Sequence, residues 1–289
     1  MTPRIVKSKN KERFFCCFFT FSLWEGHPIV VLKIGTVGSD DNNIENIKRK
    51  MMRKFINVLF VMAVMTFGLT ACGSDDDVPG EPQKTPEEMV TVTDVKKTIV
   101  TELQTIPYHE LAFVSKNNVE KPCLVLYLHG GSSRGDDNET QMGEAGIDSI
   151  SNYLKAHHKN AMFLVPQCPA GGAWLGPAQA TLRTLVAQYV NEDKVDAKQI
   201  YIFGGSMGGT GTWGMLAAYP DLFAAAMPVA ADPSKVGDYT SKTPVFTVMG
   251  TADVIMNLET AHVFVENLEA QGIETRFEIG EGWTHEVTC

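Results

Sequence analysis

One pentapeptide in the chain has the form that nucleophilic serine chemistry needs: Gly204-Gly205-Ser206-Met207-Gly208. A serine hydroxyl attacks well when its Oγ stands on a sharp, strained turn from strand to helix, and glycines on either side leave room for that turn. The pattern alone is weak, because at ordinary glycine and serine frequencies roughly one chain of this length in ten shows it by chance. Its surroundings strengthen it: 200–203 is an apolar, strand-like run, and 207–219 reads as a helix. An attacked carbonyl becomes an oxyanion, which backbone N–H groups must receive. His129-Gly130-Gly131 ends the apolar run 124–128 and can supply one. Gly131 is the expected donor, with Ser132 close behind it and Met207 contributing from beyond the nucleophile. His129 reads as structural.

The serine also needs a base, and the base needs an acid, in the chain order serine, acid, histidine. Asp253 follows the apolar run 245–249, and His285 lies in the loop after the strand-like run 275–279. Both fall just past strand ends, at the sheet edge where open α/β sheets hold ligands. His285 is expected to take the serine proton and return it to the leaving group, while Asp253 holds the imidazole tautomer and stabilises its cation. Asp232, past the preceding strand, is the rival acid. His109, His157, His158 and His262 precede Asp253 or sit on helices and early strands. Trp174 and Trp283 fall in loops expected to flank the site, as stacking surfaces for substrate or as plain loop anchors. Trp213, on the helix after the serine, reads as core.

These residues need a frame. From about residue 92 the chain alternates strand-like runs at 97–103, 108–114, 123–128, 161–166, 200–204, 224–229, 245–249 and 275–279 with amphipathic stretches at 147–158, 177–191, 207–219 and 258–271. Several runs are continuously apolar, as in strands covered on both faces. The alternation predicts an α/β class domain over 92–289, a mainly parallel sheet flanked by helices on both faces. Residues 72–289 hold 14 basic and 29 acidic side chains, a net charge of −15. A body this acidic repels phosphate backbones, so nucleic acid is not an expected partner. The six cysteines, at 16, 17, 72, 123, 168 and 289, form no metal-binding spacing, and neither metal nor cofactor is called for. Cys168 and Cys289 both fall in loops at the sheet's carboxyl edge, where an oxidising compartment would let them pair.

The first 91 residues read differently. Met51-Met52-Arg53-Lys54 is a basic opening, the apolar run 55–69 has signal-peptide length, and Leu69-Thr70-Ala71-Cys72 resembles a bacterial lipobox, in which Cys72 is acylated after cleavage. The acidic tract Gly73-Ser74-Asp75-Asp76-Asp77 resembles the signal that sends some lipoproteins to the outer face of the cell. Residues 72–91, with prolines at 79, 82 and 86, read as a linker. The run 14–24 is too short to span a membrane as a helix, and 1–50 reads as an upstream extension from a misplaced start. The expectation is therefore an exported bacterial lipoprotein held to a membrane by its anchor, at the outer membrane or cell surface.

Longer blocks carry a resemblance. Leu128-His129-Gly130-Gly131-Ser132-Ser133-Arg134-Gly135-Asp136-Asp137-Asn138, Val165-Pro166-Gln167-Cys168-Pro169 with Trp174, Gly205-Ser206-Met207-Gly208-Gly209 and Tyr219-Pro220-Asp221-Leu222-Phe223 resemble α/β-hydrolase esterases related to feruloyl esterases and polyhydroxyalkanoate-depolymerase-like enzymes. The resemblance spans about 95–289. It implies a serine carboxylic-ester hydrolase working through an acyl-enzyme on small or polysaccharide-linked esters, with feruloyl or acetyl esters of plant polysaccharide as the expected class. A serine peptidase of the prolyl-oligopeptidase type and an inactive surface lipoprotein are the alternatives. Ser133 stands where the family has a glutamate that organises the oxyanion loop, which predicts a looser loop. The family also closes with a further helix on the sheet, whereas four residues follow His285, so the resemblance predicts an open apolar groove and a poorly held His285.

Overall fold

A computed structural model describes residues 89–289 in full and, ahead of them, the backbone of two strands, β1 (Cys17–Trp24) and β2 (His27–Ile34), which pair as a two-stranded sheet. Part of the apolar run at 14–24 is therefore strand. Cys72, the signal-like segment 51–71 and the linker up to residue 88 lie outside the described residues. No helix among the described residues is long and apolar enough to cross a membrane.

The domain is an eight-stranded sheet in the order β10-β9-β8-β7-β5-β6-β4-β3. Its strands are β3 (Val90–Val100), β4 (Thr105–Ser115), β5 (Cys123–Leu128), β6 (Ala161–Pro166), β7 (Ile200–Gly205), β8 (Ala225–Val229), β9 (Val245–Gly250) and β10 (Thr275–Gly280). Pairings from β6 through β10 are parallel, while β4 runs antiparallel to both β6 and β3. The run expected as one strand at 97–103 instead ends at Val100. Thr101 then turns the chain, its N–H and hydroxyl donating to the Gln104 carbonyl at 3.1 and 2.9 Å. The strand also begins seven residues earlier than expected, because Asp94, Lys96 and Lys97 break the apolar pattern of an edge strand whose β structure comes from pairing with β4.

Helices cover both faces, as the alternation of patterns requires. On one face, α2 (Pro177–Asn191) and α3 (Met207–Ala218) bury Leu182, Leu185, Trp213 and Leu216 against Leu124, Leu126 and Ile202, and α4 (Leu258–Ala270) adds Leu268. On the other, α1 (Ala145–Ala156) buries Ile147, Ile150 and Leu154 against Val125, Phe163 and Val165. Beside α1 the sheet is uncovered, and a groove of about 580 Å³ runs along Tyr201, Phe203, Met227 and Phe246. A short helix, α5 (His285–Thr288), begins at His285 itself.

Strand order places the chemistry. The chain leaves β5 for β6 on one side and returns to β7 on the other, so the order reverses around β5. Leu128, at the end of β5, is paired with Gly204 on β7. The two loops that follow these paired ends, one carrying Gly131 and the other Ser206, are thereby neighbours at the carboxyl edge, where such sheets bind ligands.

Candidate active site

Ser206 stands between β7 and α3 with φ 56° and ψ −118°, a left-handed conformation that a side chain makes unfavourable. Its N–H donates to the Val229 carbonyl at 3.0 Å, which ties the turn to β8. The glycines around it permit close approach. A Cβ on Gly208 would lie 1.7 Å from the Leu128 carbonyl oxygen, so α3 can start this near β5 only without a side chain there.

The expected base and acid meet the serine. His285 Nε2 lies 2.7 Å from Ser206 Oγ, and His285 Nδ1 lies 2.8 Å from Asp253 Oδ2. The carboxylate only accepts, so Nδ1 carries the hydrogen and Nε2 is free to accept the serine proton. The Asp253 side chain is fully shielded from solvent. Burial pushes its pKa up, but N–H donors from Met256 and Ile255, at 2.9 and 2.8 Å, and the His285 ring outweigh that and hold it below the usual range. The rival Asp232 caps the short turn Pro233–Lys235 by accepting from Ser234 N–H.

His285 is not loosely held. Thr251 N–H donates to Gly280, Ala252 N–H to Trp283 and Gly282 N–H to Thr251 Oγ1, at 2.9, 3.0 and 2.7 Å, lacing the acid loop to the histidine loop. Thr284 caps α5, and Thr288 Oγ1 returns to the Thr284 carbonyl at 2.8 Å. Each of these bonds joins residues on or next to the two loops, so the histidine is fixed by its own neighbours.

Gly131 opens a 3-10 turn (Gly131–Ser133), with Ser132 exposed beside it. Among the described residues, the N–H groups of Gly131 and Met207 have no hydrogen-bond partner. The loop is fastened from outside. His129 donates from Nδ1 to the Gly130 carbonyl at 2.6 Å and accepts the Cys168 N–H on Nε2 at 2.8 Å. Burial lowers its pKa, consistent with a neutral structural ring. Arg134 joins the loop to Gly172 by donating from Nε at 2.6 Å.

Three expectations need correction. Trp174 is fully buried, donates from Nε1 to the His129 carbonyl at 3.0 Å and sits against Gly211, where a Cβ would come within 2.3 Å of its own Cβ. It anchors the loop after β5 and has no surface for substrate. Trp283 is also buried, its ring lying over Gly280, where a Cβ would meet it at 2.1 Å. It anchors the histidine loop. Cys168 and Cys289 do not pair: both are free thiols, the first buried in the core and the second exposed at the site. Cys289 Sγ lies 3.9 Å from His285 Nε2. The residue is exposed, but its thiol is set down among its neighbours, and that burial and then the Asp253 carboxylate push it up to about 12.

Reasoning from sequence missed Glu144, whose carboxylate accepts from Gly130 N–H at 2.8 Å, Ser133 Oγ at 2.7 Å and Tyr127 Oη at 3.0 Å. Nothing in its local pattern points to the loop, since it stands at a helix start that typically takes a shorter polar residue. Among the described residues no group of histidine, cysteine and carboxylate side chains could hold a metal ion.

The model of the dienelactone hydrolase family matches residues 175–289. Among solved structures, a thermostable esterase is similar with 26% identity and a TM-score of 0.53, over 65% of this chain and 54% of its own. The feruloyl esterase module of Clostridium thermocellum, solved with sinapinate, has 15% identity and a TM-score of 0.51, over 74% and 90%. A protein from Bacteroides ovatus described as a dipeptidyl aminopeptidase IV has 14% identity and a TM-score of 0.55, over 68% and 33%. The fold is that of the α/β-hydrolases. The chain spans about half the length of the thermostable esterase and a third of the aminopeptidase. No curated protein matches the sequence.

Proposed function

We propose that this α/β-hydrolase is a serine carboxylic-ester hydrolase working through an acyl-enzyme on Ser206. One observation carries the reading: a strained serine whose Oγ lies 2.7 Å from an imidazole that is itself held at 2.8 Å by a shielded carboxylate. His285 Nε2 takes the Ser206 proton as Oγ bonds to the ester carbonyl carbon, and the carbonyl oxygen becomes an oxyanion facing the N–H groups of Gly131 and Met207. When the tetrahedral centre collapses, the alcohol leaves with the proton from His285, and Asp253 stabilises the imidazolium in between. Water then repeats the sequence on the acyl-serine. The family match and the likeness to the thermostable esterase support a hydrolase, and the sequence blocks at 128–138 and 165–169 support feruloyl or acetyl esters of plant polysaccharide as substrates.

Turnover of p-nitrophenyl acetate and a feruloyl ester by the full chain, with Ser206→Ala as control, tests the reading. Equal rates for the two proteins reject it. Cleavage of aminoacyl-proline substrates without ester turnover favours the peptidase alternative, and no labelling of Ser206 by a fluorophosphonate favours the inactive one.

On the sequence of 51–77 we also propose that the protein is exported and lipidated at Cys72, with the acidic tract directing it to the outer face. Detergent phase separation of cell extracts tests this. Wild type is expected in the detergent phase and Cys72→Ala in the aqueous phase, and identical partitioning overturns it.

A further inference from the structure

Glu144 breaks a local rule. It occupies the N-cap of α1, where a short oxygen-bearing side chain stabilises a helix, yet its side chain makes no capping bond. It reaches away from the helix to the turn after β5. One oxygen, Oε1, accepts from Gly130 N–H at 2.8 Å and from Ser133 Oγ at 2.7 Å, and Oε2 accepts from Tyr127 Oη at 3.0 Å. Aspartate, one methylene shorter, could not span from the helix start to all three donors. A residue that gives up a helix cap and takes on three other partners is set by something other than the helix.

The neighbours are shaped for this grip. Tyr127 ends next to the start of α1, and a Cβ on residue 146 would come 2.6 Å from its hydroxyl, so only Gly146 lets the phenol reach Glu144. Burial first, and then the Glu144 charge, push the Tyr127 pKa well up, which keeps it a proton donor. Gly130 lies directly under the nucleophile, since a Cβ there would be 3.8 Å from Ser206 Cβ and 3.4 Å from Glu144 Oε1. The carboxylate thus holds the peptide that immediately precedes the Gly131 N–H.

We propose that Glu144 is the positioning residue of the oxyanion loop, engaging Gly130 N–H and Ser133 Oγ so that the next N–H, that of Gly131, is held toward the ester oxygen. Ser133 is then the partner of a carboxylate supplied from α1, and the loop is rigid without a glutamate at 133. Glu144 touches neither Ser206 nor the ester and acts through the backbone it holds. The inference rests on the ester-hydrolase reading for its catalytic consequence, and on hydrogen bonds alone for the fixing of the loop.

The experiment has two arms on the full chain. In kinetics with p-nitrophenyl acetate, Glu144→Ala should lower kcat roughly 10- to 100-fold, the scale of a misplaced or weakened oxyanion donor, and leave KM within about threefold. Glu144→Gln, which keeps an acceptor of the same reach, should recover part of the loss. In hydrogen exchange followed by mass spectrometry, Glu144→Ala should speed exchange in peptides covering 129–134 and leave those of β7 unchanged. A kcat within twofold of wild type, or unchanged exchange in the loop, overturns the proposal. If wild type shows no turnover dependent on Ser206, the ester reading fails, and the exchange arm still decides the role of Glu144. Should Glu144→Ala not fold, Tyr127→Phe removes one of the three donors and should lower kcat at least threefold; no change there overturns the proposal as well.

Discussion

Replacing Trp174 by phenylalanine separates an anchor from a substrate platform. The indole is fully buried, and its Nε1 is the donor to the His129 carbonyl at 3.0 Å. Phenylalanine keeps an aromatic ring but removes that donor and strands a buried carbonyl, which costs about 1–3 kcal/mol. The smaller ring also leaves a void where the buried indole was, worth about 1 kcal/mol more. The total is about 2–4 kcal/mol, or roughly 5–15 °C in Tm for a domain of this size. Differential scanning calorimetry or a dye-monitored melt reads it directly, alongside KM for p-nitrophenyl acetate and a feruloyl ester. An anchor gives a lower Tm and a similar KM ratio for the two esters. A Tm within about 2 °C of wild type, with KM raised severalfold for the aromatic ester alone, would refute the assignment.

Asp253→Asn leaves the shape of the site but offers His285 Nδ1 a donor amide or a neutral acceptor, so kcat should fall on the order of 10⁴-fold with KM little changed, measured on p-nitrophenyl acetate. The same residue predicts a pH dependence. Its folded pKa lies below the ordinary value of about 3.9, so its ionised form contributes stability in full above about pH 5, and the contribution fades as pH falls through the folded value. The Tm difference between wild type and Asp253→Asn should therefore shrink from pH 7 towards pH 3, and a gap that widens on acidification contradicts it. Gly208→Ala puts a Cβ 1.7 Å from backbone oxygen of Leu128 and 2.5 Å from its carbonyl carbon, contacts that no side-chain rotation relieves. Urea denaturation should show a loss of more than about 4 kcal/mol or no folded protein, and a loss under 1 kcal/mol would mean that α3 moves freely on β5.

The histidine loop is held by contacts within its own neighbourhood. Trp283 packs on Gly280, Ala252 bonds back to Trp283, and Thr284 caps the turn that starts at His285. These ties are local to the two loops that end β9 and β10. The uncovered groove lies on the α1 face and is lined by strand residues such as Phe203 and Phe246, not by the loops that carry Asp253 and His285.

Much of this protein is legible in its residues. Gly204-Gly205-Ser206-Met207-Gly208 announces a strained turn because few sequences other than glycine on both sides tolerate one, and the apolar runs at 123–128 and 245–249 announce buried strands. The order serine, acid, histidine follows from strand order, so the sequence points to Asp253 and His285, which the fold brings to Ser206 at hydrogen-bond distance. What sequence could not carry was contact between distant segments. Trp174 lies 45 residues from His129, the carbonyl it serves, and nothing in either neighbourhood says that the ring turns inward. Glu144 is invisible for the same reason: its type looks like an ordinary polar helix start, and its function lies in three donors on β5 and the loop beyond. Edge strand β3 needed its partner β4 before its charged middle could be read as strand. Local chemistry fixes which residues are able to react, because reactivity depends on type and backbone conformation. Packing decides which residues hold them still, because a hydrogen bond or a buried ring depends on partners that the chain brings together only by folding.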